Sequence, residues 1–407
     1  MSTALPSVAQ RLQGVEEYYF SRKLAEVARR RAAGEEIVNL GIGNPDLPPP
    51  PGVIAAMRAA AAEPGANGYQ SYRGIAQWRE ALLKWYADVY GVALSQNQLL
   101  PLSGSKEGIV HLAMAFVEPG RALMHPDPGY PAYAAGAKLA GGTSVAYPMP
   151  SSGEESGEEW VARIAAAAEG HAPSLLFVNT PHMPTGQVLT REQLTALVAF
   201  AKTRQIVLVG DNAYNYYAPG GPSSLLSIPG AMDCAVELNS LSKSHHMPGW
   251  RLGVLAGRDE IVQAALQVKS NLDSGQYLPV QRGAAEALST PWSWHAERNA
   301  TLLKRRAIGE ELLRSLGCTV PTGQAGLFVW AVLPGKAEAV GGGGLREGDS
   351  SAEAFADDLL DRTGLFLPPG TVFGPGGEGH IRLSLCAPVE VLTAALARVQ
   401  SAAAVPA

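Results

Sequence analysis

From residue 51 to 285 short apolar runs alternate with longer amphipathic ones, and that alternation leaves few folds open. The apolar runs are QLLPL (98–102), ALMH (122–125), SLLFVN (174–179), IVLVGD (206–211), AVELNS (235–240) and RLGVLAG (251–257). Between them lie stretches such as REQLTALVAFAKTRQ (191–205), which read as helices. Strands that are apolar almost throughout have no face to give to water. They belong in a mostly parallel sheet with helices on both sides, an α/β architecture. The 45 glycines and 30 prolines fit the many turns this demands.

A length of 407 residues admits a second domain. The tail predicts one: a charged helix over 292–316, strand LFVWAVL (327–333) and a glycine-rich loop at 340–344. A helix over 352–364, strand HIRLSL (380–385) and a closing helix over 388–401 follow. This reads as a smaller α+β unit that the N-terminal segment joins. In that segment a helix is predicted from Val8 to Ala33, stopped by Gly34, with EEIVNLGIGNPDLPPP (35–50) extended behind it. PSSGEESGEEW (150–160) reads as an acidic loop, and no internal repeat is present. The expected division is 1–50 as arm and part of the small domain, 51–290 as large domain and 291–407 as small C-terminal domain.

A net charge of −5 without a long basic run argues against a nucleic-acid partner. No apolar run is long enough to cross a bilayer, and the start lacks a basic-then-apolar signal pattern. Cys234, Cys318 and Cys386 are scattered without metal-ligand spacing, as thiols of a reducing compartment would be. A cytoplasmic protein without membrane or nucleic-acid contacts is expected. His245 and His246 are adjacent, so their side chains diverge, and no further ligand follows at metal spacing.

Lys243 stands in ELNSLSKSHHMPGWRLG (237–253), just past a strand end. Taken alone it reads as a solvated lysine. Ser240 and Ser242 before it and Arg251 after it offer hydroxyls and a guanidinium for a phosphate, while the amine could form a Schiff base with an aldehyde. Asp211 closes the run IVLVG at a carboxyl edge, where open α/β sheets bind ligands. It could cap the next turn or pair with a protonated ring nitrogen, with Tyr214 three residues on as a donor. LSGSKEGIVHLAMAF (102–116) turns at Gly104 and Ser105 into a helix whose first amides could face an anion or simply be capped. Tyr130 in HPDPGYPAY (125–133) is either a packed loop aromatic or a stacking surface. Arg382 shares a strand face with His380 and Ser384. It could hold a carboxylate, or make a surface ion pair. Gly43 in NLGIGNPD lacks the context of a dinucleotide fingerprint.

Together, GYQSYRG, DPGYP, PTG, DNAY and SLSKSHHMPGWRLG resemble the class I/II aminotransferases of fold type I. The likeness spans nearly the whole chain, and GSKEG, DPGYPAY and VKSNLDSGQY resemble the LL-diaminopimelate aminotransferase-like branch. It implies a three-layer αβα large domain, a smaller α+β domain, pyridoxal 5′-phosphate as cofactor and a homodimer with shared active sites. It implies transamination between an L-amino acid and a 2-oxo acid, with glutamate/2-oxoglutarate as one pair. By the same resemblance Lys243 is the Schiff-base lysine and proton carrier. Asp211 takes the ring nitrogen, Tyr214 the ring oxygen, and Tyr130 stacks. Gly104, Ser105, Ser240, Ser242 and Arg251 hold the phosphate, with Tyr69 from a second subunit. Arg382 and Gly43 take the substrate α-carboxylate, and Lys106 a distal carboxylate. Aspartate-specific relatives place a partner-chain arginine near Lys269; lysine there argues against strict aspartate specificity. A lyase, decarboxylase or oxidase on the same scaffold is the alternative. A ligand-sensing regulator is a further one, set back by the short segment ahead of LGIGNPD.

The resemblance breaks at Met183 in VNTPHMPTGQV, where relatives carry asparagine, and at His246, where asparagine is frequent. Methionine cannot donate a hydrogen bond. The cofactor's phenolate oxygen then keeps more basicity and holds the proton it shares with the imine more tightly. Absorbance titration is expected to give a higher imine pKa in the parent protein than in Met183→Asn. An equal or lower value contradicts this.

Overall fold

The computed structural model describes residues 7–15, 17–151, 153–335 and 351–403. Seven strands form one sheet. They lie in the order Leu99–Leu102, Gly253–Gly257, Ala235–Ser240, Val207–Asp211, Pro173–Asn179, Ala122–Asp127, Thr143–Pro148. All neighbours pair in parallel except Gly253–Gly257, which runs antiparallel to both strands beside it. The mostly parallel α/β sheet expected from the sequence is therefore present.

Its two faces bury different residues of the same strands, as side-chain alternation requires. Leu176, Val178 and Leu208 pack with Trp78, Trp85, Tyr86 and Trp160. Leu175, Phe177 and Val209 pack with Ile109, Leu112 and Tyr133 on the opposite side. The strand Thr143–Pro148 was missed in the sequence because it sits at the sheet's edge and alternates between buried and accessible residues. The parallel strands end together, with Asn179 in register with Asp211, and Asp211 with Leu238. This common edge positions the site.

A third core joins the two ends of the chain. Phe20, Val27, Ile37 and Leu40 pack with Leu312, Leu313, Phe328, Leu359, Leu383 and Leu392. Val38–Asn39 pairs in parallel with Leu365–Phe366, and Phe328–Val332 pairs antiparallel with His380–Ser384. Arg305, on the helix Trp292–Ser315, makes a two-pronged ion pair with Asp46 at 2.6 and 2.8 Å. This ties the segment after Gly43 to the third core.

Two expectations need correction. The N-terminal helix spans only Tyr19–Ala32, with a separate 3-10 turn at Gln10–Leu12. Gly14 adopts φ 75° and Tyr18 is not helical, so the chain turns before the helix begins. The acidic stretch 150–160 is not all loop, because Ser156 caps a helix Gly157–Ala167. The Ser156 hydroxyl accepts from the Glu159 amide at 3.2 Å, and Glu159 accepts from the Ser156 amide at 3.1 Å. Glu158 and Glu159 then lie where the helix dipole favours negative charge. The glycine-rich stretch 340–344 lies outside the described residues.

Candidate active site

The carboxyl edge of the sheet brings together Asp211, Lys243 and Arg251, and the third core contributes Arg382. Asp211 is buried at the end of its strand. Its Oδ2 accepts from the Tyr133 hydroxyl at 2.8 Å, while its Oδ1 is buried with no hydrogen-bond partner among the described residues. Burial raises its pKa to about 6, against the pull of Tyr133 and the Ala213 amide. A buried acceptor left open in this way has the chemistry to receive a cationic N–H. The Ala213 amide, two residues on, meets the same carboxylate, so Asp211 serves the following turn while its Oδ1 stays open.

Lys243 lies in a short helical turn, Leu241–Ser244, that starts where the strand Ala235–Ser240 ends. Tyr217 donates to the Lys243 carbonyl at 2.5 Å, and the Lys243 amine donates to the Gly43 carbonyl. No carboxylate pairs with this amine among the described residues. Burial lowers its pKa to about 8, and Arg382 and Arg251 push the same way while Cys386 opposes them. A solvated surface lysine would show neither the shift nor the enclosure.

Arg382 is buried and meets no carboxylate among the described residues, so the surface ion pair open on sequence is overturned. Its Nη2 donates to the Gly41 carbonyl at 2.6 Å and its Nη1 to the Met183 sulfur at 3.2 Å; its Nε has no partner among them. The rings of Phe328, Phe373 and Phe20 surround the guanidinium at 3.9, 4.4 and 5.5 Å. Desolvation lowers its pKa to about 10. A cation held by aromatic faces and a thioether is prepared for an incoming carboxylate. Met183 keeps the turn's backbone in place: its amide donates to Asn179 Oδ1 at 2.7 Å, and Asn179 Nδ2 donates to the Asp211 carbonyl at 2.7 Å.

Opposite lies a cluster suited to an anion. Gly104, at φ 87°, precedes the helix Ser105–Phe116. A Cβ there would come within 2.1 Å of Arg251 Nη2 and push the guanidinium aside, and the φ itself favours glycine. Arg251 donates to the carbonyls of Pro248 and Ser103, each at 3.1 Å, and pairs with no carboxylate among the described residues. Ser240 and Ser242 are buried beside Lys243, the Ser242 amide donating to Ser240 Oγ at 3.2 Å. Lys106 Nζ lies 4.6 Å from the centre of the Tyr18 ring, and burial and then Arg251 lower its pKa. Tyr130 is half-buried next to Tyr133, and Tyr214 lies against Phe328; burial pushes both phenols above their ordinary range. Tyr69 stands apart, 95% exposed.

Lys269 does not look outward. It is 1% exposed, and its amine is taken by Glu107 at 2.8 Å and Asp273 at 2.7 Å within its own chain. Tyr133 and Tyr217 were not singled out from the sequence. Tyr133 was visible three residues after Tyr130 in DPGYPAY, where a second buried phenol needed a partner. His245 and His246 lie among Trp294, His295 and Tyr216, and no metal-binding group of three or more occurs among the described residues.

Residues 35–399 match the family described as aminotransferase class I and II. The chain is 35% identical to the LL-diaminopimelate aminotransferase of Desulforudis audaxviator, covering 96% of this chain and 97% of that protein. It is 37% identical to that of Gloeobacter violaceus, covering 97% and 98%. Among solved structures it resembles apo-BacF of Bacillus subtilis with a TM-score of 0.87 at 28% identity, covering 98% of each chain. It also resembles a probable N-succinyldiaminopimelate aminotransferase of Thermus thermophilus, with a TM-score of 0.82 at 31% identity, covering 94% and 99%.

In protein free of ligand, trace acylation of Lys243 is expected to titrate with a midpoint near 8, well below the ordinary lysine value of about 10.4. Arg382→Met should raise that midpoint, because a neighbouring positive charge is lost. Peptide mass mapping across a pH series reads both. A parent midpoint of about 10 would match an ordinary lysine and contradict the account.

Proposed function

Because the chain belongs to the class I and II aminotransferases, we propose that the residues gathered at its sheet edge divide the work of pyridoxal-phosphate-dependent amino transfer. The residues present fit that cofactor. Among the described residues Asp211 offers one buried oxygen without a partner, Arg251 covers Gly104, whose φ of 87° favours glycine, and Lys243 keeps an amine free of any carboxylate. On this reading Gly104, Ser105, Ser240, Ser242 and Arg251 hold the phosphate, Asp211 and Tyr214 the ring nitrogen and ring oxygen, and Tyr130 a ring face. Tyr69 reaches the phosphate of a second copy in a homodimer, for which its exposure leaves it available. Residues 51–290 form the large cofactor-binding domain, 1–50 the arm and part of the small domain, and 291–407 the small C-terminal domain.

Bound here, pyridoxal phosphate supplies an aldehyde for the substrate amine and a sink for the charge left when the Cα proton departs. Arg382 binds the α-carboxylate of an L-amino acid or 2-oxo acid and so fixes which bond at Cα faces Lys243. The Gly43 carbonyl accepts from the Lys243 amine and holds it in place. With its pKa near 8, that amine can take a proton from Cα and return it at neutral pH without a large driving-force penalty. The Tyr133 hydrogen bond keeps Asp211 ionised against burial. Lys106, beside Tyr18, is placed for a second, distal carboxylate, which suits LL-diaminopimelate-like donors with glutamate/2-oxoglutarate as the other pair. Among the described residues no helix is long and apolar enough to cross a membrane, and all three cysteines are free thiols, which supports a cytoplasmic setting.

The observation that carries this reading is the buried guanidinium of Arg382, which has no counter-ion of its own among the described residues. LL-diaminopimelate or L-glutamate, added to cofactor-loaded protein, is expected to convert aldehyde absorbance to amine absorbance, and 2-oxoglutarate to reverse it. Arg382→Met should raise KM for the amino acid by about a hundredfold, two charged hydrogen bonds being lost. Release of ammonia, carbon dioxide or peroxide without the amine form would instead support the lyase, decarboxylase or oxidase.

A further inference from the structure

The segment VKSNLDSGQY (268–277) reaches both halves of the anion cluster, through Lys269 to Glu107 and through Gln276 to Leu102 and Arg251. Lys269, which is buried, joins the half-buried Asp273 and Glu107 in one charge group. Glu107 Oε1 and both carboxylate oxygens of Asp273 take the Lys269 amine at 2.7–2.8 Å. Glu107 lies in the first turn of the helix Ser105–Phe116, and its other oxygen accepts from the Ser103 amide. Three residues beyond Asp273, Gln276 Nε2 donates to the Leu102 carbonyl at 3.1 Å and the Arg251 carbonyl at 2.7 Å. That one side chain bridges the strand end before Gly104 to the residue whose guanidinium covers Gly104. Gly275 pairs with Gln70, and a Cβ at 275 would sit 2.4 Å from the carbonyls of Gln70 and Ser71. The segment thus also fixes the loop that carries Tyr69.

We infer that Lys269, Glu107, Asp273 and Gln276 are positioning residues for an anionic phosphoryl group at Gly104, Ser105 and Arg251. This deepens the functional reading above and rests on it. A carboxylate one turn from an anion site repels the anion unless it is neutralised. Glu107 is nevertheless needed there, because it anchors the Ser103 amide and with it the conformation of Gly104. Lys269 eases the conflict by supplying a counter-charge from the buried side, shared between Glu107 and Asp273, without competing for the anion. Burial and Asp273 hold Glu107 above the ordinary carboxylate range, and Lys269 opposes them. Gln276 then fixes the distance between the two strand ends that must meet around the anion.

The test compares equilibrium binding of pyridoxal 5′-phosphate with that of pyridoxal, which lacks the phosphate, by absorbance after dialysis. Lys269→Met is expected to weaken the phosphorylated ligand about tenfold or more and pyridoxal less than about twofold. Gln276→Met, at a half-buried site, should show the same selective loss on a smaller scale, and it decides the matter alone if Lys269→Met does not fold. Equal losses for both ligands, or no loss for either, would show a general packing role and overturn the inference. A parent protein that prefers pyridoxal 5′-phosphate by a wide margin upholds the functional reading whichever way the variants fall. A parent with no such preference removes both.

Discussion

A carboxylate is buried at the end of a parallel strand with only one of its two oxygens answered, and the rest of the site is arranged around that fact. Asp211 Oδ2 has Tyr133, and Oδ1 has no partner among the described residues. An isolated buried acceptor carries a cost of roughly 1–3 kcal/mol, more when charged. The fold accepts it at one edge of the sheet, where neighbouring strands end in register and loops can enclose a ligand. Arg382 repeats the theme with the opposite sign, and Lys243 repeats it with an amine whose acceptor is a backbone carbonyl. Three ionisable groups that do not pair with one another are poor packing for a structural core. They suit a pocket whose missing partners come with cofactor and substrate.

Much of this was legible in the sequence, for physical reasons that differ from part to part. The central strands are apolar on both faces and so announce themselves by composition alone, whereas the edge strand Thr143–Pro148 alternates and does not. Lys243, Asp211 and Arg251 were legible because unusual residue types stood at strand ends. Arg382 was ambiguous, because alternation places a side chain on a face without saying whether that face is wet. Only the packing of Phe328, Phe373 and Phe20 around it settles the question. The N-terminal helix was drawn too long because Gly14 carries no periodic signal and its turn depends on φ.

Lys269 shows the limit of reasoning by resemblance. By resemblance, lysine at 269 argues only against strict aspartate specificity and says nothing of where its amine points. Here Glu107 and Asp273 lie within hydrogen-bond reach, and the amine turns inward to them. Met183 is the converse case: the backbone of its turn is tied to Asn179 as a polar residue's would be, while the side chain offers Arg382 only a weak sulfur acceptor.

All of these assignments meet at the Lys243 amine. The most direct measurement reduces the cofactor-loaded protein with borohydride, digests it and maps the pyridoxyl-bearing peptide by mass. The account predicts one modified lysine, at residue 243, and no label in a Lys243→Ala protein. A label on another lysine, or none in the parent, would contradict it.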